Sequence, residues 1–285
     1  MRKLIFASLS VLLTLSVLAQ NTRRWNLTPD AGIRWEVKKG EAHSDNIEMA
    51  GTQMAAIVNY GANDKGELYL AKWLYFPMLR IVPNNTYGSL KAEYTDQAKL
   101  GIAVNGTALI EYPQWFGIKG KLDVACTTNT AIETRHTLFP STDKAALIET
   151  ISLKNTGLSE CKISVANNYG SYQTDPVTSV YGPYVVSGTL VTGLKQEPQL
   201  AITLAPGENY DFAMVYAARK KSEEPYSWAP AHELAKRDAF VENTFGNLVL
   251  ETPNDTIDRA FAFAKVRATE SIYDTLLLGI CVKAR

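Results

Sequence analysis

The sequence predicts a mainly β protein, a large antiparallel β-sandwich followed by a short helical region. Three observations predict it. From Ile33 to about Arg219 apolar and polar residues alternate in a long series of short segments, turn signals rich in Gly, Asn and Pro separate them, and no helical crossover interrupts them. Period-two alternation gives each strand one apolar face, and two packed antiparallel sheets are the simplest way to cover such faces.

Residues 1–19 have the layout of a secretory signal peptide: a basic Arg2-Lys3 head, an apolar run from Leu4 to Leu18, and Val17-Leu-Ala19 before a polar stretch. A membrane anchor is the competing reading, but the apolar run is short against the roughly twenty residues that a spanning helix needs. No later segment is long and apolar enough to cross a bilayer, so no membrane insertion is expected once the leader is cleaved.

The predicted sandwich domain occupies residues 20–225. Its first hairpin is Met54–Tyr60, the turn Gly61-Ala-Asn-Asp-Lys-Gly66, and Glu67–Phe76. Asn105-Gly106 marks a second turn, between Ile102-Ala-Val104 and Ala108–Tyr112. Further strands are expected at Phe116–Ile118, Leu122–Cys126, Ala131–Phe139, Ala146–Leu153, Cys161–Asn168, Tyr184–Leu190, Leu200–Leu204 and Tyr210–Ala217.

After Arg219 the composition changes. Lys220–Trp228 is a polar connector, and residues 226–253 read as a helical linker: a helix over Ala231–Asn243 with Leu234 and Phe240 inward, then a strand at Leu248-Val-Leu250. Residues 254–285 open with a second helix, capped by Asn254 or Asp255 and carrying Asp258 in its first turn, where the helix dipole favours negative charge. Ile257, Ala260, Phe261, Ala264, Ala268 and Ile272 line one face of that helix, while Ala262, Phe263 and Val266 make the other side apolar as well. A helix apolar on both sides wants partners on both sides.

Composition excludes some function classes. With 29 basic and 29 acidic residues the net charge is zero, so nothing draws the chain to nucleic acid or an anionic membrane. Cys126, Cys161 and Cys281 are too few for a disulfide scaffold and lack metal-ligand spacing. In an exported protein Cys126 and Cys161 could pair; buried free thiols are the simpler expectation. No cofactor or metal is expected.

A sandwich, a helical linker, a strand ending in Thr252-Pro253, and a helix bearing Ala-Phe-Ala-Lys265-Val-Arg-Ala-Thr-Glu270-Ser together resemble the N-terminal part of secreted bacterial six-hairpin glycosidases. The phrase Phe76-Pro-Met-Leu-Arg-Ile-Val-Pro-Asn-Asn-Thr86 is similar to members from gut Bacteroidetes. The resemblance implies a supersandwich of the galactose-mutarotase type, the first helix of an incomplete (α/α)6 toroid, a periplasmic or extracellular location, and a glycoside hydrolase whose catalytic carboxylates lie in a helical barrel. None of those carboxylates can be carried onto this chain. The expectation is a truncated or frame-shifted product with the barrel as its missing intramolecular partner, non-catalytic as it stands. The alternatives are a free-standing carbohydrate-binding protein and a mutarotase-like epimerase or lyase.

Candidate residues follow from the chemistry of sugars, which offer C–H faces to aromatic rings and hydroxyls to planar polar groups. Trp73, Arg80, Asn84, Asn85 and Tyr87 supply that mixture, with Tyr75 nearby, and Trp115 stands in a second cluster with Tyr112 and Phe116. The competing view places Trp73 and Tyr75 on a buried strand face. Glu133 and Glu149, on neighbouring strands, could face each other as a carboxylate pair, although acidic residues on alternating strands usually point to solvent. His43, His136 and His232 are far apart in sequence, and His136 is expected at the surface or a sheet edge. An epimerase would need a histidine and a carboxylate converging in a cleft, and no motif around any histidine announces one. No catalytic residue is assigned.

Overall fold

The computed structural model describes residues 24–82, 87–277 and 280–283. The leader expected at residues 1–19 lies outside them. Among the described residues the first half contains β1 (Trp25–Leu27), β2 (Ile33–Glu36), β3 (His43–Ala50), β4 (Ala55–Ala62), β5 (Leu68–Ile81), β6 (Gly88–Tyr94), β7 (Leu100–Val104) and β8 (Thr107–Ala108). Then come β9 (Glu111–Ile118), β10 (Leu122–Thr128), β11 (Ile132–Pro140), β12 (Ala146–Asn155), β13 (Cys161–Asn167) and β14 (Gly170–Gln173). They are followed by β15 (Tyr184–Thr192), β16 (Lys195–Glu197), β17 (Gln199–Leu204) and β18 (Asn209–Lys220). Two helices, α1 (Pro230–Gly246) and α2 (Asp255–Thr269), precede a terminal hairpin of β19 (Asp274–Leu277) and β20 (Ile280–Lys283).

The turn chemistry acts where the sequence places it. Asn63 and Gly66 close the β4–β5 turn, with Gly66 at φ 78° and its amide 2.8 Å from the Asn63 carbonyl. At the β7–β8 turn Asn105 and Gly106 both take positive φ, 51° and 82°, as a tight two-residue hairpin requires.

The expected pair of sheets is more finely divided. A ten-stranded antiparallel sheet runs β1-β2-β9-β10-β11-β12-β18-β15-β14, with β16 also on β15. Two four-stranded sheets, β3-β4-β5-β6 and β17-β13-β7-β8, lie across it. One continuous apolar core joins all three: Met49, Tyr60, Leu74 and Phe76 from the first small sheet, Val104, Ile163 and Val165 from the second, and Phe116, Leu138, Leu147, Ile151 and Met214 from the large one.

The middle of the large sheet is buried on both faces. Leu147, Ile151 and Leu153 point inward along β12, while Ala146 and Ile148 meet Phe139, Val215 and Trp228 on the outer face. This explains the unbroken apolar runs there.

The connector after β18 and helix α1 cover part of that outer face. Leu234 and Phe240 are only half-buried; the buried stripe of α1 is Glu233, Arg237 and Val241 at helical spacing. Glu233 accepts from Ser141 Oγ and Lys144 Nζ, each at 2.7 Å. Arg237, wholly buried, donates to the Gly120 carbonyl at 2.8 and 2.6 Å, to the Ala50 carbonyl at 3.0 Å, and to Glu270.

No strand forms at Leu248-Val-Leu250. Leu248 takes φ 54°, and Leu248 and Val249 are 76% and 64% exposed, because Lys265 Nζ instead gathers the carbonyls of Phe245 at 2.8 Å and Leu248 at 3.0 Å at the end of α1.

Helix α2 starts as expected, with Asn254 Oδ1 accepting from the Thr256 amide at 3.0 Å and Asp258 accepting from Thr252. Its two apolar sides fare differently. Val266 is buried and Phe263 meets the main core, whereas Ile257, Ala260, Ala264 and Ala268 are exposed and Phe261 half-covered. Among the described residues Cys126 and Cys161 are buried free thiols.

Candidate functional site

Four charged side chains meet inside the sandwich. Along β5 the inward register reads Leu68, Leu70, Lys72, Leu74, Phe76, so Lys72 sits in the core-facing row and is 4% exposed. Across the core, β12 turns Glu149 inward between Leu147 and Ile151, and β11 turns His136 inward between Thr134 and Leu138. Glu111 enters from the start of β9 and Tyr216 from β18.

They form one chain of contacts. Lys72 Nζ lies 2.9 Å from Glu149 Oε2, which also accepts from Tyr216 Oη at 3.0 Å. His136 Nδ1 lies 2.9 Å from Glu149 Oε1, and its Nε2 lies 2.7 Å from Glu111 Oε1, which takes a further hydrogen bond from Thr134 Oγ1.

Removing four charges from water costs free energy that only close pairing offsets. Burial disfavours the His136 imidazolium, yet Glu111 and then Glu149 outweigh it and hold its pKa up at about 10. Burial raises Glu149 too, but Lys72 and His136 pull it far below the usual carboxylate range. Glu111 is likewise lowered, its burial outweighed by His136 and Thr134. Tyr216 is pushed well up by burial and by Glu149. Near neutrality His136 therefore stands as an imidazolium between two carboxylates, one of them also paired with Lys72.

This row floors a cavity of about 250 Å³, whose walls include Leu70, Gln97, Ile102, Glu111, Tyr169 and Tyr216. Tyr94, Tyr169 and Tyr216 pack against one another, with centroids 4.6 to 5.6 Å apart. Such a cavity can hold a small polar molecule. Within its row of charges the two carboxylates favour the protonated His136, and Lys72 and His136 favour ionised Glu149 and Glu111, so close pairing works against proton exchange there. Among the described residues no three His, Cys, Asp or Glu side chains converge as metal ligands, and no helix is long and apolar enough to cross a membrane.

Several sequence-based expectations change. His136 is buried at the centre of the large sheet, not at an edge, because it shares the inward parity of Ile132 and Leu138. Glu133 and Glu149 do not face each other: β11 pairs Glu133 with Lys154 and Leu138 with Glu149, so Glu133 is exposed on the outer face and Glu149 buried on the inner. Trp73 and Tyr75 do share a face, but it is the outer, half-exposed face of their sheet, since Lys72, Leu74 and Phe76 take the core.

Arg80 is the penultimate residue of β5, its carbonyl accepting from Tyr184 Oη at 2.8 Å, and Tyr87 is 69% exposed. Asn84 and Asn85 lie outside the described residues. Trp115 is half-exposed on the outer face of the large sheet, between Arg34 at 4.2 Å and Arg135 at 5.4 Å from its ring centroid. Trp73 and Trp115 therefore stand on opposite outer faces of the sandwich and form no common site.

The interior row had a signal in the sequence. Lys72, Glu149 and Tyr216 each interrupt an apolar inward register, His136 stands in one beside Thr134, and parity along each strand puts each of them on the inward face. Their meeting depends on which strands lie opposite, which parity does not state.

No protein-family model matches the chain, and no curated protein matches it. Among solved structures it is similar to one named "Putative kojibiose phosphorylase from human microbiome", with TM-score 0.54 and 11% sequence identity over 88% of this chain and 42% of that one. The chain thus spans less than half the length of that protein, and at this identity the two share a fold: a β-sandwich followed by helices.

Proposed function

We propose that this chain is the exported, non-catalytic β-sandwich region of a carbohydrate-active enzyme, packed in the working protein against a helical domain that carries the reaction. The observation that carries this reading is the fold likeness, which takes in 88% of this chain yet only 42% of a protein named as a kojibiose phosphorylase. Two features of the chain agree with it. The face of α2 formed by Ile257, Ala260, Ala264 and Ala268 is open to solvent and apolar, as a helix is before its partner covers it. The interior charges are locked in pairs, which suits structure better than turnover.

A second reading, a sandwich that acts on sugars by itself, draws on the meeting of His136 with Glu111 beside a cavity. It needs a neutral imidazole or a protonated carboxyl at working pH, and the paired charges oppose both.

The test is enzymatic. Antibodies raised against this chain should recover from the cells that make it a polypeptide or complex larger than 31.4 kDa that cleaves glycosidic bonds by water or phosphate, while the purified chain alone does neither. Turnover of a sugar by the purified chain, lost in His136→Gln, would establish the second reading instead. Recovery of this chain alone, at or below 31.4 kDa and without activity, would refute the first.

A further inference from the structure

One half of the outer face of the large sheet is covered, and the other half forms a groove. Phe139, Ile148 and Val215 lie beneath Trp228 and Leu234. Beyond them, cross-strand pairing lines up Trp115, Ala125, Arg135, Ser152 and Asp211 in a single row over β9, β10, β11, β12 and β18. Residues in one row project to the same face, so this row is the groove's floor and walls. Four strand spacings make it roughly 19 Å long.

Two hollows of about 390 and 430 Å³ lie along this row and share Arg135 and Ser152. The floor is low where Ala125 and Ser152 stand, and Trp115 rises at one end, its ring over Gly117. A Cβ on Gly117 would come within 3.2 Å of the Trp115 ring, so the indole lies directly over that glycine. Arg34 and Arg135 flank the ring. Pro230 and Leu234 close the other end, at the start of α1.

We infer that this groove binds a neutral oligosaccharide, laid across the strands with one sugar against Trp115 and the chain running toward Asp211. The inference rests on the carbohydrate reading above and adds to it a site that is separate from the interior cavity. Charge selects the ligand class. The lining carries Arg135 and Lys154 against Glu133 and Asp211, so a polyanion finds no net attraction and would meet two carboxylates. Donors and acceptors nevertheless alternate: guanidinium at Arg135, hydroxyls at Thr150 and Ser152, an exposed carboxylate at Asp211. That is what a row of sugar hydroxyls needs, while the half-exposed Trp115 indole, with Arg34 and Arg135 over its ring, supplies an apolar wall at that end. A protein partner would call for an apolar centre, and this groove has polar side chains there.

Isothermal titration of the full chain with maltohexaose, cellohexaose, laminarihexaose and xylohexaose tests it, each against its disaccharide. At least one hexasaccharide should bind, and its disaccharide should bind about tenfold more weakly or worse, about 1.4 kcal/mol. Trp115→Ala and Asp211→Ala should each weaken binding about tenfold with an unchanged melting temperature, and Trp73→Ala should leave it as it was. Absence of saturable binding to all four hexasaccharides, or binding undiminished in both groove variants, overturns the inference. Such a failure beside active recovered enzyme would remove the groove alone; hexasaccharide binding beside inactive recovered material would remove the enzyme reading alone.

Discussion

Lys72 and Glu149 belong to different sheets, yet the Lys72 ammonium lies 2.9 Å from the Glu149 carboxylate, with side chains only 5% and 2% exposed. The pair ties the small β3–β6 sheet to the centre of the large one through the middle of an apolar core. It is bridged onward by His136 to Glu111, so no charge in the row is left alone.

Removing one partner should therefore cost more than the pair is worth. Lys72→Met leaves Glu149 buried with less compensation and is expected to destabilise the chain by about 3–5 kcal/mol. Lys72→Met combined with Glu149→Leu should recover part of that loss, since the uncompensated charge has gone. Urea unfolding of the three proteins measures both; a single variant within about 0.5 kcal/mol of the parent would show the pair to be unimportant.

The same row sets a pH dependence. His136 keeps its proton to about pH 10 in the folded chain, against an ordinary value of 6.5. A raised pKa favours the folded state fully below the ordinary value, and that contribution is lost as pH rises through the folded one. Glu149 and Glu111 are depressed, so their contributions are present above the ordinary 4.5 and fade as pH falls. Thermal stability should decline as pH rises from about 6.5 toward 10, and His136→Gln should flatten that decline while lowering stability at neutral pH. Parallel slopes for the two proteins would rule out His136 as the source.

Arg237 fastens the helices to the sandwich. Its guanidinium serves the Gly120 and Ala50 carbonyls and the Glu270 carboxylate. Arg237→Leu strands all three, and a loss of about 3–5 kcal/mol is expected. Gly120→Ala attacks the same junction from the other side: the residue takes φ 69°, and a Cβ would stand 2.3 Å from Val241 Cγ2. Both variants should speed amide exchange in α1 and α2 before the sheets respond. Uniform loss across the sheets would place the junction inside the main cooperative unit.

The open face of α2 behaves differently. Ile257→Glu and Ala264→Glu alter exposed positions, so the stability of the chain should stay within about 0.5 kcal/mol of the parent. Recovery of a larger partner with the chain should nevertheless fall. Destabilisation by more than about 2 kcal/mol would mean that this face is already covered within the chain.

Period-two alternation, turn residues and a capping asparagine made the β-sandwich, the Asn105-Gly106 hairpin and the start of α2 legible in the sequence, because each depends on neighbours along the chain. The division into one large and two small sheets was not legible, nor was the absence of a strand at Leu248–Leu250. Strand partners come from distant segments, and Lys265 took over the carbonyls at the end of α1.

For the interior site the sequence alone determined which residues share a parity: Lys72 with Leu74, His136 with Leu138, Glu149 with Ile151. Only the tertiary structure decided that the Lys72 row lies across the core from the adjacent β11 and β12 rows, so that Lys72 meets Glu149, and that Glu111 comes to the other side of His136. Parity is set by local backbone geometry, whereas the pairing of buried charges depends on sheet packing, in which oppositely charged groups far apart in the chain come together out of water.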